Sequence, residues 1–283
     1  MVVEVNVSLL YNIDKSTITN AQHMYIGARY ASLLSKNGKK DEANIFISNT
    51  QKIYSWLKSS GLMSNDVVYD GVEENCAINP NRHSYHVGMI LGGLVYLFEA
   101  TNDAQYLKDA NSLAMKSMTY FSQNGIITDS CENNLKKPCP LDRVGFKGIL
   151  IRGLGHLYSI TDDEQTKNSI EKTLGDSFEA MLKGCDADFF STKYWESGNF
   201  IGKSVHLQIN ALELATAYSR KFGFSEQKLK DPESIQNGGS NAPKSDTEKS
   251  DSIFNKSFKI ASIVLGCLLM IILFIYLLKR KSK

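Results

Sequence analysis

The sequence of 283 residues contains little proline, little cysteine and almost no excess charge of either sign. No proline lies between Pro80 and Pro138, so long helices are not interrupted there. Five cysteines are too few for a small disulfide-built scaffold, although they suffice for one or two bridges. A net charge of +2 lacks the basic excess of a nucleic-acid-binding protein, so nucleic acid is not an expected partner.

The sequence is rich in hydrophobic residues, which make up 42% of the chain. Aliphatic and aromatic residues are too abundant for a disordered chain, and glycine and proline are too scarce for a collagen-like one. We therefore expect a folded domain over residues 1–225, followed by three C-terminal segments of different composition.

The C-terminal segments predict a membrane anchor. Residues 260–278 carry no charge over 19 positions, which matches the apolar core of a bilayer, and basic residues follow at once. We assign residues 226–257 to a flexible polar stalk, 258–279 to a transmembrane helix and 280–283 to a basic tail. The lipid bilayer is thus an expected partner, with the folded domain on the extracellular or lumenal side of a membrane. A buried core helix is the alternative interpretation of the apolar run.

The N-terminus leaves that orientation open. We do not expect the first 15 residues to be a signal peptide, because they lack a basic start and because Glu4 and Asn6 interrupt the apolar stretch. A tail-anchored protein with a cytosolic domain is the alternative topology. Asn6 and Asn255 lie in sequons, and a glycan on Asn6 would exclude the cytosolic alternative.

Apolar periodicity predicts seven helices arranged as repeated hairpins. They are expected at about residues 18–36, 41–60, 83–100, 103–123, 142–160, 163–183 and 202–221. Leu97, Thr101 and Asp103 recur 60 positions later as Leu157, Thr161 and Asp163. A period of two helices predicts an all-α fold in which neighbouring hairpins bury each other's apolar faces.

The two helices of each hairpin differ in composition. The first is rich in glycine and apolar all round, which indicates an inner helix, and the second is amphipathic, which indicates an outer one. Two concentric layers describe an (α/α)6 toroid. Seven helices are too few for its twelve, so we expect a partial toroid from a truncated chain.

The inner helices are all expected to begin at one rim, where the long loops 61–82, 124–141 and 184–201 also emerge. These loops contain aromatic, carboxylate and amide side chains, a combination that suits a sugar ligand. The adjacent pair Asp162–Asp163 lies instead in a short turn at the opposite end, where its pattern predicts a helix cap. The five histidines have no metal-ligand spacing, so neither a metal nor another cofactor is expected.

Four of the five cysteines fall in the rim loops. Cys131 and Cys139 share one loop and are predicted to form a disulfide, and Cys76 with Cys185 is a second candidate pair. Reduced cytosolic thiols are the alternative. Cys267 lies within the predicted membrane span and is expected to be free.

Several of these motifs resemble glycoside hydrolase family 76, the endo-α-1,6-mannanases, and especially its fungal cell-wall branch. The matching stretches are Thr17-Ile-Thr-Asn20-Ala with Ala28-Arg-Tyr, Ile53-Tyr-Ser-Trp56, Val68-Tyr-Asp70-Gly71, Ser84-Tyr85-His86-Val-Gly88, Thr101-Asn-Asp103-Ala-Gln-Tyr-Leu107, Cys131-Glu with Cys139, and Asp142-Arg143 with Phe146-Lys147-Gly148. The resemblance covers about residues 15–221 and implies the (α/α)6 toroid. It also implies action on α-1,6-mannan or, in fungi, on mannose-containing glycans that anchor cell-wall proteins.

The resemblance also implies a set of glycan-binding residues. These are Asn20, Asp70, Tyr85, His86, Asp142, Phe146 and Lys147. The family's usual Tyr-Asn is Tyr85-His86 here, and its usual Asp-Gln is Asp142-Arg143. The family's catalytic Asp-Asp pair lies upstream of the matching region, so the catalytic residues are not assigned in this chain.

Together these patterns predict a membrane-anchored mannan endo-1,6-α-mannosidase-like glycosidase or transglycosidase whose catalytic half is absent. By itself the chain is expected to be inactive. The alternative is a non-catalytic membrane-anchored module that binds glycans or tethers the cell wall.

Overall fold

Seven α-helices account for most of the residues that the computed structural model describes, which are 15–132, 139–140, 143–186, 191, 195 and 204–222. The helices are α1 (Thr17–Lys36), α2 (Lys40–Ser59), α3 (Ser84–Thr101), α4 (Ala104–Tyr120), α5 (Phe146–Ile160), α6 (Glu164–Lys183) and α7 (Val205–Ser219). A short 3-10 helix, Arg220–Phe222, follows α7. The seven predicted helices are confirmed.

The helices form two layers, as the hairpin pattern predicts. α1 packs extensively on α3, α3 on α5, and α5 on α7, so the first helices of successive hairpins lie side by side. α2, α4 and α6 lie outside them. Glycines allow the close approach of α3 and α5: a Cβ on Gly88 would lie 2.2 Å from the Ile149 carbonyl oxygen. This mostly helical architecture agrees with part of an α/α toroid.

Short turns at one end connect the two helices of each hairpin. Asp103 and Asp163 cap α4 and α6, and the Asp163 carboxylate accepts a hydrogen bond from the Thr166 amide at 2.7 Å. The capping role predicted for Asp162–Asp163 is therefore confirmed for Asp163.

Seven two-residue strands lie in the described loops at the other end. They are β1 (Lys15–Ser16), β2 (Met63–Ser64), β3 (Val67–Val68), β4 (Gly71–Val72), β5 (Ile78–Asn79), β6 (Ser122–Gln123) and β7 (Ile126–Ile127). All pairings are antiparallel: β1-β4-β5 form one sheet, while β2-β3 and β6-β7 are hairpins. α4 ends earlier than predicted because residues 122–123 pair across a turn at Asn124 and Gly125, both with positive φ.

The cysteine predictions have different outcomes. Cys131 and Cys139 form the predicted disulfide, which packs against Val144 and Leu207. The second pair is wrong, because Cys76 and Cys185 are both free thiols. Cys76 is exposed in the turn between β4 and β5, whereas Cys185 follows α6 and its thiol donates to the Met181 carbonyl.

Three further predictions lie outside the described residues. These are the glycosylation sites Asn6 and Asn255, the stalk with its membrane span and basic tail, and the site residue Asp142. Within the part of the chain that the structure describes, no helix combines the length and apolar character needed to cross a bilayer.

Candidate functional site

The start of α1 holds the loop that carries Asp70. The Thr17 amide donates to the Asp70 carbonyl at 2.8 Å, and the Thr17 hydroxyl donates to the Tyr69 carbonyl at 2.6 Å. Next to this contact, β1 pairs with β4, so Ser16 lies opposite Gly71. Asp70 is thereby fixed at the end of the inner layer where the helices begin, which is the predicted rim.

Asp70 lies beside His86, in the first turn of α3. Its Oδ1 atom is 3.4 Å from His86 Nε2, which is longer than an ordinary hydrogen bond. Its Oδ2 atom accepts a hydrogen bond from the side-chain amide of Asn79 at 3.3 Å. The Asp70 side chain is 31% exposed, whereas His86 is fully buried. Burial, with a smaller contribution from His83, lowers the pKa of His86 to about 3, so this ring is neutral at pH 7.

A pair of aromatic rings adjoins His86. The Tyr85 ring lies 4.1 Å from that of His86 and 4.0 Å from that of Phe146, measured between centroids. Tyr85 and Phe146 are both half-buried, so the ring pair remains accessible. α3 and α5 therefore contribute one aromatic platform beside the Asp70 carboxylate. A pyranose ring packs on such a surface through its C–H face, while its hydroxyls donate to a carboxylate.

The loop before the disulfide supports the start of α3. Asp129 is buried, and its Oδ2 atom accepts a hydrogen bond from the Ser84 hydroxyl and another from the Ser84 amide at 3.3 Å. This contact caps α3 from 45 residues away, in the place of a side-chain cap from His83. Tyr85 and His86 follow Ser84 directly, so Asp129 orients the residues of the platform.

A buried ion pair supports the start of α5. The Lys147 ammonium donates to Glu132 Oε2 at 2.9 Å and lies 3.9 Å from the ring centroid of Trp195. The side chains of Lys147 and Glu132 are only 1% and 4% exposed. Burial raises the pKa of Glu132, and Lys147 opposes that rise. This environment assigns Lys147 to the support beneath the rim.

The structure thus brings together Asp70, Tyr85, His86 and Phe146 from the predicted set. Asn20 lies in the first turn of α1, where its amide donates to the Ser16 carbonyl at 2.9 Å. Asn210 of α7, which the sequence analysis missed, accepts from the Gly148 amide and donates to the Val144 carbonyl, so it ties α7 to the start of α5. No sequence signal pairs Asn210 with residues more than 60 positions away.

The described part of the rim has groups that can bind a ligand but few accessible carboxylates. Near the aromatic platform the described carboxylates are Asp70, which is accessible, and Asp129 and Glu132, which are buried and engaged. Among the described residues no cluster of three or more histidine, cysteine or acidic side chains forms a metal site.

His86 is expected to make the protein sensitive to mild acid. Its pKa of about 3 is below the usual 6.5, so the unfolded chain takes up a proton first as the pH falls. Between pH 7 and pH 5 the free energy of unfolding should fall by about 2 kcal/mol more in the parent than in His86→Asn. Urea unfolding at both pH values measures this difference, with His23→Asn as an exposed control. Equal pH dependence of parent and His86→Asn would contradict the assignment.

Two helical layers of repeated hairpins, with a rim of loops at the end where the inner helices begin, place the protein in the α/α toroid class. The model of Glycosyl hydrolase family 76 matches residues 11–225, and the chain belongs to this family. This confirms the family resemblance noted in the sequence.

Curated relatives carry the corresponding activity in their names. One is mannan endo-1,6-alpha-mannosidase DFG5 of Candida albicans, 25% identical over 244 residues, with 80% of this chain and 49% of that protein covered. A putative mannan endo-1,6-alpha-mannosidase of Schizosaccharomyces pombe is 28% identical, with 66% of this chain and 42% of that protein covered. The chain spans less than half the length of these relatives.

Solved structures share the architecture. Dfg5 from Chaetomium thermophilum, in complex with glucosamine, superposes with a TM-score of 0.63 at 25% identity, covering 74% of this chain and 52% of that one. An α-1,6-mannanase of Salegentibacter in complex with α-1,6-mannotriose gives a TM-score of 0.61 at 21% identity, covering 73% and 60%. That mannanase is an inactive variant in which two adjacent aspartates are replaced by asparagine.

Proposed function

We propose that this chain is the glycan-binding part of a mannan endo-1,6-α-mannosidase-type glycoside hydrolase or transglycosidase that acts on α-1,6-linked mannose in cell-wall biogenesis. The observation that carries the proposal is the accessible Tyr85–Phe146 ring pair next to the Asp70 carboxylate. Family membership and the mannanase names of the relatives support the choice of sugar.

The proposed binding mode divides the sugar between two surfaces. The mannose ring packs on Tyr85 and Phe146, and its hydroxyls donate to Asp70, which Asn79 and the start of α1 hold in place. Neutral His86 forms the buried floor between them, so it adds no charge to the site. Asp142 remains a proposed further contact to the glycan.

Turnover needs a second accessible carboxyl group, which the described part of the platform does not supply. Hydrolysis of a glycosidic bond requires two carboxyl groups on either side of it. Around the described platform only Asp70 is accessible, and the adjacent aspartates of this sequence, Asp162–Asp163, belong to a hairpin turn. In the inactive Salegentibacter mannanase two adjacent aspartates are replaced by asparagine, which supports an adjacent aspartate pair as the catalytic residues of that enzyme. We propose that Asp162–Asp163 is not the counterpart of that pair. The proposal is therefore binding without hydrolysis by the chain alone.

The test measures binding and turnover separately on the full chain. α-1,6-Mannotriose is titrated calorimetrically, and release of reducing sugar from α-1,6-mannan is assayed in parallel. We expect saturable binding with no turnover above background. Asp70→Asn and Tyr85→Ala should each weaken binding about tenfold, because each removes one of the two contact surfaces. Glu74→Gln, on the exposed turn between β4 and β5, is the matched control for Asp70→Asn.

Two results would reject parts of this proposal. Turnover of mannan by the chain alone would show that the missing carboxyl group is present in it. Absence of saturable binding, or equal affinity of the parent and Asp70→Asn, would reject the rim as the glycan site.

A membrane location is part of the same proposal. The uncharged run at 260–278 and the basic residues after it support a C-terminal anchor that presents the domain on the extracellular or lumenal side. Protease treatment of sealed microsomes tests this: the folded domain should be protected until detergent is added. Digestion without detergent would favour the cytosolic topology.

A further inference from the structure

A cavity lies within the inner layer of helices, and none of the residues of the aromatic platform lines it. Its volume is about 370 Å³, and its walls come from α1, α3, α5, α7 and the 3-10 helix that follows α7. This size lies in the range of small-molecule sites. Because Tyr25 and Arg29 are four residues apart on α1, and Arg152 and His156 are four apart on α5, each helix directs one face toward it.

The charged groups in the wall are mostly basic. Arg29, Arg152 and Arg220 all line the cavity, and Glu213 is the one carboxylate among its described lining residues. Three positive charges against one negative leave an excess of two. The acid behind the wall, Glu99, is already engaged: Ser32 and Lys36 donate to its carboxylate at 2.6 and 2.7 Å.

The guanidinium groups retain unused donors. Arg152 is positioned by two hydrogen bonds to Glu213, one of them from Nε at 3.1 Å, and Arg220 uses one Nη1 bond to the Ser159 hydroxyl. Arg29 is exposed, and no carboxylate in the described part of the chain lies within ion-pair distance of it. Each guanidinium has five N–H donors, so most of them point to no protein acceptor.

We propose that this cavity binds a phosphomonoester, with Arg29, Arg152 and Arg220 contacting the phosphoryl group. The dianion matches the excess of two positive charges, and planar guanidinium groups pair with phosphate oxygens through parallel hydrogen bonds. The rings of Tyr25 and Tyr96 also line the cavity, and the organic part of the ligand can pack against them.

Tyr96 adds a neutral donor to this site. Burial, followed by the neighbouring Tyr25, raises the pKa of Tyr96 to about 12. Its hydroxyl is therefore protonated at pH 7 and adds no negative charge opposite the arginines.

Calorimetric titration of the full chain tests the site with three probes: inorganic phosphate, glucose 6-phosphate and glucose. We expect both phosphates to bind saturably and to weaken as NaCl is added, and glucose not to bind. Arg29→Gln should weaken phosphate binding at least tenfold. Arg29→Lys should weaken it less, because lysine keeps the positive charge but lacks the paired donors of the guanidinium group. Lys116→Gln removes the same charge from the exposed side of α4 and should change nothing.

The two phosphates distinguish the source of the phosphoryl group. Tighter binding of glucose 6-phosphate assigns the cavity to an organic monoester, while equal binding would reject the monoester in favour of the free anion. Unchanged affinity in both Arg29→Gln and Arg220→Gln would also overturn the proposal. Circular dichroism confirms that these exposed substitutions leave the fold intact. Asp70→Asn should leave phosphate binding unchanged, so failure here is separable from failure of the mannose site.

Discussion

Replacing Lys147 with methionine is expected to lower the free energy of unfolding by about 3–5 kcal/mol. The substitution leaves the Glu132 carboxylate buried without its 2.9 Å ion-pair partner and removes the cation above Trp195. An unpaired buried charge is costly, because it exchanges water for a medium that solvates it poorly. Chemical unfolding followed by circular dichroism measures the loss.

A surface pair provides the control for this result. Lys172 and Asp176 form an ion pair on α6, but their side chains are 74% and 40% exposed. Lys172→Met should therefore change stability by less than about 0.5 kcal/mol. The double variant Lys147→Met/Glu132→Gln should recover part of the loss, since it removes the stranded charge. Equal effects of Lys147→Met and Lys172→Met would contradict the role assigned to the buried pair.

Replacing Gly88 with alanine is expected to cost about 3 kcal/mol, at the upper end for overpacking. The added methyl group would lie 2.2 Å from the Ile149 carbonyl oxygen and 2.6 Å from the Leu150 amide nitrogen. Both are helix backbone atoms, so no side chain can rotate away and α3 must separate from α5. The melting temperature of the variant reports the cost.

Gly145 is the matched control, one residue before α5. The nearest atom to an added Cβ there is 3.9 Å away, on His206, and the backbone φ of −85° suits alanine. Gly145→Ala should be neutral or stabilise by a few tenths of a kcal/mol through reduced freedom of the unfolded chain. A melting temperature for Gly88→Ala close to that of Gly145→Ala would show that the helices are not in tight contact.

Helix periodicity predicted most of the fold because each inner helix packs along its whole length. The predicted start of α5 was wrong. Its start was expected at residue 142 but lies at Phe146, because residues 143–145 form a turn whose Val144 carbonyl bonds to Asn210 of α7. That partner is 66 residues distant and leaves no local pattern. The two-residue strands were missed for a similar reason, since they depend on pairing between loops.

The candidate site was predictable mainly through the family resemblance, which named Tyr85, His86 and Phe146 as glycan-binding residues. Their mutual contact follows from the adjacency of α3 and α5. The role of Lys147 was not predictable, because it depends on Glu132 and Trp195, which reach it from separate loops. The arginine cavity was missed as well, since its lining residues are spread over four helices and a 3-10 turn.

The serial packing of the inner helices also has a consequence for synthesis on the ribosome. α1 to α4 contact each other before any residue of α5 is needed, so the first two hairpins can become structured while the rest of the chain is still being made. The aromatic platform cannot, because Phe146 comes with α5, and the residues that secure the start of α5, Trp195 and Asn210, are translated later still. The rim that carries the proposed glycan site is therefore among the last parts of the domain to mature, and a nascent chain stalled before α7 would present folded hairpins without the complete platform.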